Sequence, residues 1–140
     1  INRNLQINLK SYIAKSIKNK NTIIFHNSND KSKIKLLKKR GTTLIKQSTD
    51  KYKNLDLKKI LKDLYKMEIR NLLVEGGDIL TKNFIQKKLF NEFYVFRSSK
   101  NLSKNKKHVN FTSFSILNTK YNKHKINSKL ATDKLTIYKN

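Results

Sequence analysis

The sequence predicts an α/β protein, and three observations lead to that class. Short runs of β-branched and aromatic residues alternate, from residue 22 to residue 97, with segments whose apolar residues recur at helical spacing. Asp, Asn and Gly residues stand between these runs, where turns and helix caps need them. Alternation of strand and helix is typical of parallel strands joined by right-handed crossovers.

The first strand and the first helix are predicted within residues 22–41. Residues 22–26 form a short β-branched and aromatic run that suits a buried strand. Asp30 can cap a helix that continues to about Arg40, and Gly41 stands where a helix end favours a residue that tolerates positive φ. The residues expected to face inward are Ile34, Leu36 and Leu37.

A second strand over residues 42–45 and the clearest helix of the chain follow. Apolar residues at i, i+3, i+4 and i+7 form a stripe along one face of this helix. Asn54 precedes the stripe as a candidate N-cap. The stripe consists of Leu57, Ile60, Leu61 and Leu64.

The next three elements are a strand, a helix and another strand. Residues 71–74 have a continuous apolar core, and the pattern from Asp78 to about Lys88 is amphipathic. Residues 92–97 form the later strand, in which four contiguous apolar residues, 93–96, favour burial on both faces. The inward residues of the helix are expected to be Ile79, Leu80, Phe84 and Ile85.

The pattern changes after Lys100. A loop rich in Lys and Asn leads to strand-like runs at residues 111–117 and 135–138, with no clear helix between them. These runs predict an antiparallel finish at the edge of the sheet. Because no repeat or Pro/Gly-rich linker divides the chain, residues 1–140 are predicted to form a single domain.

The composition excludes several kinds of site. Cysteine is absent, and no two of the three histidines have metal-binding spacing, so no metal site is predicted. The longest apolar run covers residues 93–96, far short of a membrane span, and we expect a cytoplasmic protein without membrane contact. The chain opens without an initiator Met, so we expect it to lack the N-terminal part of a longer protein.

The net charge of +24 would ordinarily indicate nucleic acid or an acidic surface as a partner. The basic residues are 29 Lys but only 4 Arg, and Arg is the residue that reads bases and clamps phosphates. Lys, Asn and Ile make up 62 of the 140 residues, as A/T-rich codons would supply. We therefore expect no specific nucleic-acid binding, and a basic nucleic-acid-binding module is the alternative function.

Two of the three glycines, Gly76 and Gly77, are adjacent between the predicted strand at residues 71–74 and the following helix. Ligands bind at such junctions in open α/β sheets. Glycine lets a ligand approach the backbone closely, and the helix N-terminus favours phosphate. A tight turn that needs glycine only for its geometry is the other interpretation.

Residues 71–96 (NLLVEGGDILTKNFIQKKLFNEFYVF) resemble the reductase domain of the bifunctional riboflavin biosynthesis deaminase/reductase family. In that family an apolar strand ends in Val-Glu-Gly-Gly or a near variant, and a helix with inner Leu and Phe leads through Asp/Asn-Glu into the next strand. Residues 5–11 (LQINLKS) look like an earlier strand of the family, and residues 134–138 its closing strand. The resemblance spans nearly the whole chain and is most specific at residues 75–83.

The resemblance implies a dihydrofolate-reductase-like fold, with a mainly parallel sheet and antiparallel C-terminal strands, whose N-terminal part lies upstream of Ile1. It implies NADPH as cofactor and a small-molecule phosphoribosyl pyrimidine as substrate. The reaction would reduce the ribosyl group of 5-amino-6-(5-phosphoribosylamino)uracil to the ribityl form. The family's zinc deaminase domain has no counterpart here because its ligands include Cys. The oligomeric state stays open, with a homo-oligomer among the options.

The resemblance also implies the site residues. Glu75 matches a substrate-contacting glutamate, and Ser11 matches a hydroxyl residue that touches the cofactor, although Lys10 replaces the usual Asp before it. Ser11 as a turn cap and Glu75 as a helix cap are the other interpretations. No catalytic residue is assigned. The nucleotide-binding turn and first helical turns are matched by Gly77, Asp78, Ile79, Leu80, Thr81, Lys82 and Asn83.

The two carboxylates near the glycines have different expected roles. A helix N-terminus favours the ionised form of Glu75, which is therefore expected to accept hydrogen bonds from substrate hydroxyls. Asp78 would repel a phosphate unless its carboxylate turns outward to bond the free N–H groups of the helix. Its backbone is expected to line the site in either case.

Overall fold

The computed structural model describes residues 1–17, 21–100, 111–126 and 132–140. The chain divides into two compact units, Ile1–Asn71 and Leu72–Asn140, and each unit has its own sheet. The single domain over residues 1–140 stays a prediction. Among the described residues, no helix has the length and apolar character needed to cross a bilayer.

The first unit is built around a parallel two-stranded sheet. Its strands pair in register over all four residues of each, with a helix as the connection between them. This confirms the strand, helix and strand predicted within residues 22–45. The elements in chain order are α1 (Tyr12–Ser16), β1 (Ile23–His26), α2 (Lys31–Lys39), β2 (Thr43–Lys46) and α3 (Leu57–Lys66).

Caps define the ends of these helices. The Asp30 carboxylate accepts a hydrogen bond from the backbone N–H of Lys33 at the start of α2, and Gly41 takes φ 91° just beyond its end, both as predicted. The prediction of Asn54 as the cap of α3 is wrong. The helix begins at Leu57, so the residue before it, Asp56, supplies the capping carboxylate.

The core of the first unit lies between its sheet, α2 and the N-terminal segment. Leu36 is 40% exposed, so the prediction that it faces inward is wrong, whereas Leu37 is 2% exposed. The packed residues are Leu5, Ile17, Ile24 and Leu37, with Ile7, Ile34 and Leu44 against them.

Residues 5–11 do not form the strand that the resemblance implies. The segment just before them follows β1 instead, because Asn2 N–H donates to the Phe25 carbonyl at 3.0 Å and Asn27 N–H donates to the Arg3 carbonyl at 2.9 Å. Leu5 is then buried in a left-handed conformation with φ 53°. That turn redirects the chain and prevents an extended strand from continuing.

The second unit contains a three-stranded antiparallel sheet. The third strand of the chain has the bounds that the sequence predicted, and the C-terminal strand confirms the antiparallel finish. That C-terminal strand lies in the middle of its sheet rather than at the edge, since it pairs with one strand on each side. The elements are α4 (Asp78–Gln86), β3 (Glu92–Arg97), α5 (Phe114–Lys120), β4 (Asn122–Ile126) and β5 (Lys134–Lys139).

The core of the second unit joins both of its helices to the sheet. Phe84 and Ile85 of α4 are buried as predicted, whereas Ile79 is 74% exposed, so its inward placement is wrong. Tyr94 and Phe96 are exposed, so only one face of β3 is buried. The prediction that this strand is buried on both faces is therefore wrong. The core cluster is Ile85, Leu117 and Tyr138, with Phe90, Phe93, Val95, Phe111, Ile116 and Tyr121 against it.

The strand predicted at residues 111–117 is wrong, because this segment leads into helix α5. Leu117 is fully buried against Ile85 and Tyr138, and Asn118 accepts a hydrogen bond from the Tyr138 hydroxyl at 2.7 Å. A short apolar run is compatible with strand or helix, and these distant contacts select the helix.

The strand predicted at residues 71–74 is also wrong. The segment is irregular and exposed, with Leu73 82% exposed, and residues 71–75 form no backbone hydrogen bond with any other described residue. A strand needs a neighbour for its N–H and C=O groups. The apolar sequence alone does not supply that neighbour.

Candidate functional site

The glycine turn, defined as residues 75–77, leads directly into α4. Gly77 is the N-cap, with φ −72° and ψ 173°, and the first backbone bond of the helix runs from Thr81 N–H to the Gly77 carbonyl at 3.2 Å. The N–H groups of residues 78–80 therefore have no acceptor within the helix. Since no other described residue accepts from them either, they are available to an anion at the positive end of the helix dipole.

The two glycines have different surroundings. A Cβ atom at Gly76 would lie 2.8 Å from Cδ2 of Leu80, so the absence of a side chain there permits close packing against α4. A Cβ atom at Gly77 would meet nothing within 4 Å. The space at Gly77 is thus open, next to the N–H groups that have no acceptor.

The Asp78 carboxylate turns away from its own helix. It accepts hydrogen bonds from the backbone N–H of Thr112 at 3.1 Å and from the Thr112 hydroxyl at 2.8 Å. The sequence suggested an outward turn in which Asp78 bonds the free N–H groups of α4, but its partner is Thr112. The N–H groups of α4 therefore remain available, because the Asp78 carboxylate accepts its two hydrogen bonds from Thr112 instead.

Other polar side chains of this segment stabilise the turn and the helix. Thr81 Oγ1 donates to the Gly76 carbonyl at 3.5 Å, and Asn83 Nδ2 donates to the Ile79 carbonyl at 2.9 Å. Lys82 is exposed on α4. The groups left for a ligand are therefore the backbone of the first helical turn and the Lys82 ammonium group.

Glu75 is exposed and forms no hydrogen bond with another described residue. It does not cap α4, so the interpretation of Glu75 as a helix cap has no support in the structure. Its carboxylate can accept hydrogen bonds from a ligand placed beside the glycine turn.

Ser11 caps helix α1. Its Oγ accepts a hydrogen bond from the backbone N–H of Ala14 at 3.4 Å. This matches the interpretation of Ser11 as a capping residue, and its contact with a cofactor stays a prediction. The structure brings residues 75–83 together in one segment of the second unit, whereas Ser11 belongs to the first unit.

Thr112 and Ser113 are two residues near this site that the sequence did not single out. Ser113 is fully buried, and its Oγ has no hydrogen-bond partner among the described residues. The pair Thr-Ser ahead of a helical stretch is a usual N-cap signal. That signal would have indicated both the helix α5 and the residues before it.

These features define an α/β protein with a glycine turn at a helix N-terminus that has no capping side chain. The family model of the RibD C-terminal domain matches residues 1–129, and the chain belongs to this family, as the resemblance of residues 71–96 predicted. A comparison with curated proteins found no match. Family membership identifies a reductase domain of riboflavin biosynthesis, whose substrate is a small molecule.

Proposed function

We propose that this chain is part of an NADPH-dependent reductase that converts the ribosyl group of 5-amino-6-(5-phosphoribosylamino)uracil to the ribityl form. Membership of the RibD C-terminal domain family supports the reductase class. One structural observation carries the cofactor assignment: the N-terminus of α4 has no capping side chain and lies beside the open space at Gly77. A helix end of this kind favours phosphate, which a nicotinamide dinucleotide carries.

The residues of the glycine turn and α4 fit a dinucleotide phosphate. The N–H groups of residues 78–80 would donate to its oxygens, and the space at Gly77 would let the phosphate approach the backbone. Lys82, one turn along the helix, adds positive charge. The Asp78 carboxylate does not compete for the N–H groups because Thr112 holds it.

Glu75 would orient the substrate. Its carboxylate is exposed, has no hydrogen-bond partner among the described residues, and lies three residues before the start of α4. Carboxylate oxygens accept hydrogen bonds from sugar hydroxyls. NADPH, when bound, supplies the hydride; the contribution of Glu75 is to hold the ribosyl group in place.

Three further parts of the proposal rest on family membership. Ser11 would provide a second cofactor contact. Residues 1–140 would form a single domain with a dihydrofolate-reductase-like arrangement. The protein would act in the cytoplasm.

The test measures the disappearance of NADPH when the ribosylamino substrate is added to the longest natural chain that contains these residues. We expect NADPH consumption to equal the formation of a product two hydrogen atoms heavier, identified by mass spectrometry. Omission of substrate should stop the consumption of NADPH. If that chain neither bound NADPH nor turned over the substrate, the proposed function would be contradicted.

A further inference from the structure

One face of the second sheet is covered by core residues at one end and open at the other. Residues opposite each other in an antiparallel pair have side chains on the same face, so the register places Phe93, Val95 and Arg97 of β3 with Tyr138, Thr136 and Lys134 of β5. Phe93, Val95 and Tyr138 pack against the helices. The far end opens into a groove of about 800 Å³.

Four cations line this groove, which we call the basic groove. Arg97 and Lys134 are direct cross-strand partners. Lys123 and Lys125 of β4 are opposite Tyr138 and Thr136, so they share the same face. All three strands of the sheet therefore place cations on one of its faces.

This placement is unfavourable for the fold alone. Like charges directly opposite each other destabilise a sheet. Asp133 is the one carboxylate among the described residues that line the groove, and none of the four cations forms an ion pair with a described residue. An anion in the groove would offset the repulsion.

The groove also holds one of its cations in a defined position. The Arg97 guanidinium lies over the Phe114 ring, 5.0 Å from its centroid. Stacking of this kind limits the conformations of a long side chain and keeps its donors directed at an acceptor. Because the guanidinium matches the geometry of phosphate oxygens, the expected anion is a phosphate.

We propose that the basic groove binds a small, multiply charged phosphate compound. Its volume is in the range of sites for small ligands. It shares no lining residue with the glycine turn or the first turns of α4, so it is a second anion site. The proposal does not depend on the reductase function.

The probe is inorganic tripolyphosphate, titrated into the chain by calorimetry at about physiological ionic strength, where distant surface charges are screened. We expect binding at the basic groove whose affinity falls about tenfold or more in the double variant Arg97→Gln/Lys134→Gln. The matched control is Lys58→Gln/Lys62→Gln, which removes two exposed cations of α3 and should leave the affinity unchanged.

A second variant separates binding from folding. Lys134→Glu places a carboxylate opposite Arg97, so the melting temperature should be retained or raised while tripolyphosphate binding is lost. Equal loss of affinity in the α3 control would show attraction to net charge alone and would overturn the proposal.

Two further measurements test whether the anion binds at the basic groove and whether the ligand is a small phosphate compound or RNA. Gly77→Val should leave tripolyphosphate binding intact; loss of binding would place the phosphate at the glycine turn and overturn the proposal. Mixed-sequence RNA should bind weakly and lose its affinity as salt rises to the physiological range. RNA that binds more tightly than tripolyphosphate through Arg97 and Lys134 would make the groove a nucleic-acid site and would also overturn it.

Discussion

The Asp78 carboxylate accepts two hydrogen bonds from Thr112, one from its backbone N–H at 3.1 Å and one from its hydroxyl at 2.8 Å. The two residues are 34 positions apart. This pair connects the start of α4 with the segment just before α5. It also explains how an acidic residue can stand at the first position of α4 without occupying the N–H groups of that helix.

The first prediction concerns this pair. Asp78→Ala should lower the free energy of unfolding by about 1 to 2 kcal/mol, because it removes an ionised acceptor of two hydrogen bonds. Thr112→Val should cost less, about 0.5 to 1 kcal/mol, because the backbone bond remains. Chemical denaturation gives both values. Thr119→Val, which removes a hydroxyl bonded within its own helix, is the control; an equal cost for all three variants would contradict the assignment.

The second prediction separates the two glycines. Gly77→Val should weaken NADPH binding about tenfold or more, because the branched side chain would fill the space where a phosphate approaches the backbone. Gly76→Ala should chiefly lower stability, by about 1 kcal/mol, because its methyl group would lie 2.8 Å from Leu80 Cδ2. Fluorescence titration with NADPH and chemical denaturation are measured on both variants. If the Gly77→Val variant bound NADPH as tightly as the wild type, the glycine turn would not be part of the cofactor site.

The third prediction concerns Glu75. Glu75→Gln should lower turnover of the ribosylamino substrate about ten- to a hundredfold, since one hydrogen bond to a charged group contributes about 1.5 to 3 kcal/mol. NADPH affinity should be nearly unchanged, because the proposed phosphate contacts are backbone N–H groups. Glu68→Gln makes the same charge change at an exposed glutamate of the first unit. If turnover at saturating NADPH is the same in both variants, Glu75 has no role in the reaction.

The fourth prediction concerns the buried Ser113 hydroxyl. Ser113→Ala should raise the free energy of unfolding by about 1 kcal/mol, because it removes a buried polar atom that has no partner among the described residues. The midpoint and slope of chemical denaturation test this. Destabilisation by this substitution would show that the hydroxyl has a partner in the folded protein.

The fifth prediction concerns pH. His26 is 3% exposed, and burial, followed by the nearby charge of Lys46, lowers its pKa below the ordinary value. The unfolded chain therefore binds a proton at higher pH than the folded chain does, so stability should fall as pH decreases from about 7 toward the folded pKa. Below that value this contribution should become constant.

The measurement is the free energy of unfolding at a series of pH values, for the wild type and for His26→Gln. The variant should be less stable throughout but should lack the decline below about pH 6.5. Asp30, whose pKa is lowered mainly by the Lys33 backbone N–H, acts in a separate window, because its contribution is lost only below about pH 4. The same decline in both proteins would assign the pH dependence to another group.

Local signals predicted much of the fold. Asp30 and Gly41 indicated both ends of α2, and the apolar stripe from Leu57 indicated α3, because capping and helical periodicity act within a few residues. The runs at residues 71–74 and 111–117 were assigned wrongly. A run of that length becomes a strand only if another backbone pairs with it, and the run itself does not encode that partner.

The sequence alone determined the family, the glycine turn and the start of the helix that follows it at Asp78. Only the tertiary structure decided which residue donates hydrogen bonds to the Asp78 carboxylate. That partner in turn decides whether the N–H groups of α4 stay available. The physical reason is distance along the chain. Asp78 and Thr112 meet because Ile85 of α4, Leu117 of α5 and the sheet share one core, and the periodicity of neither helix contains that contact.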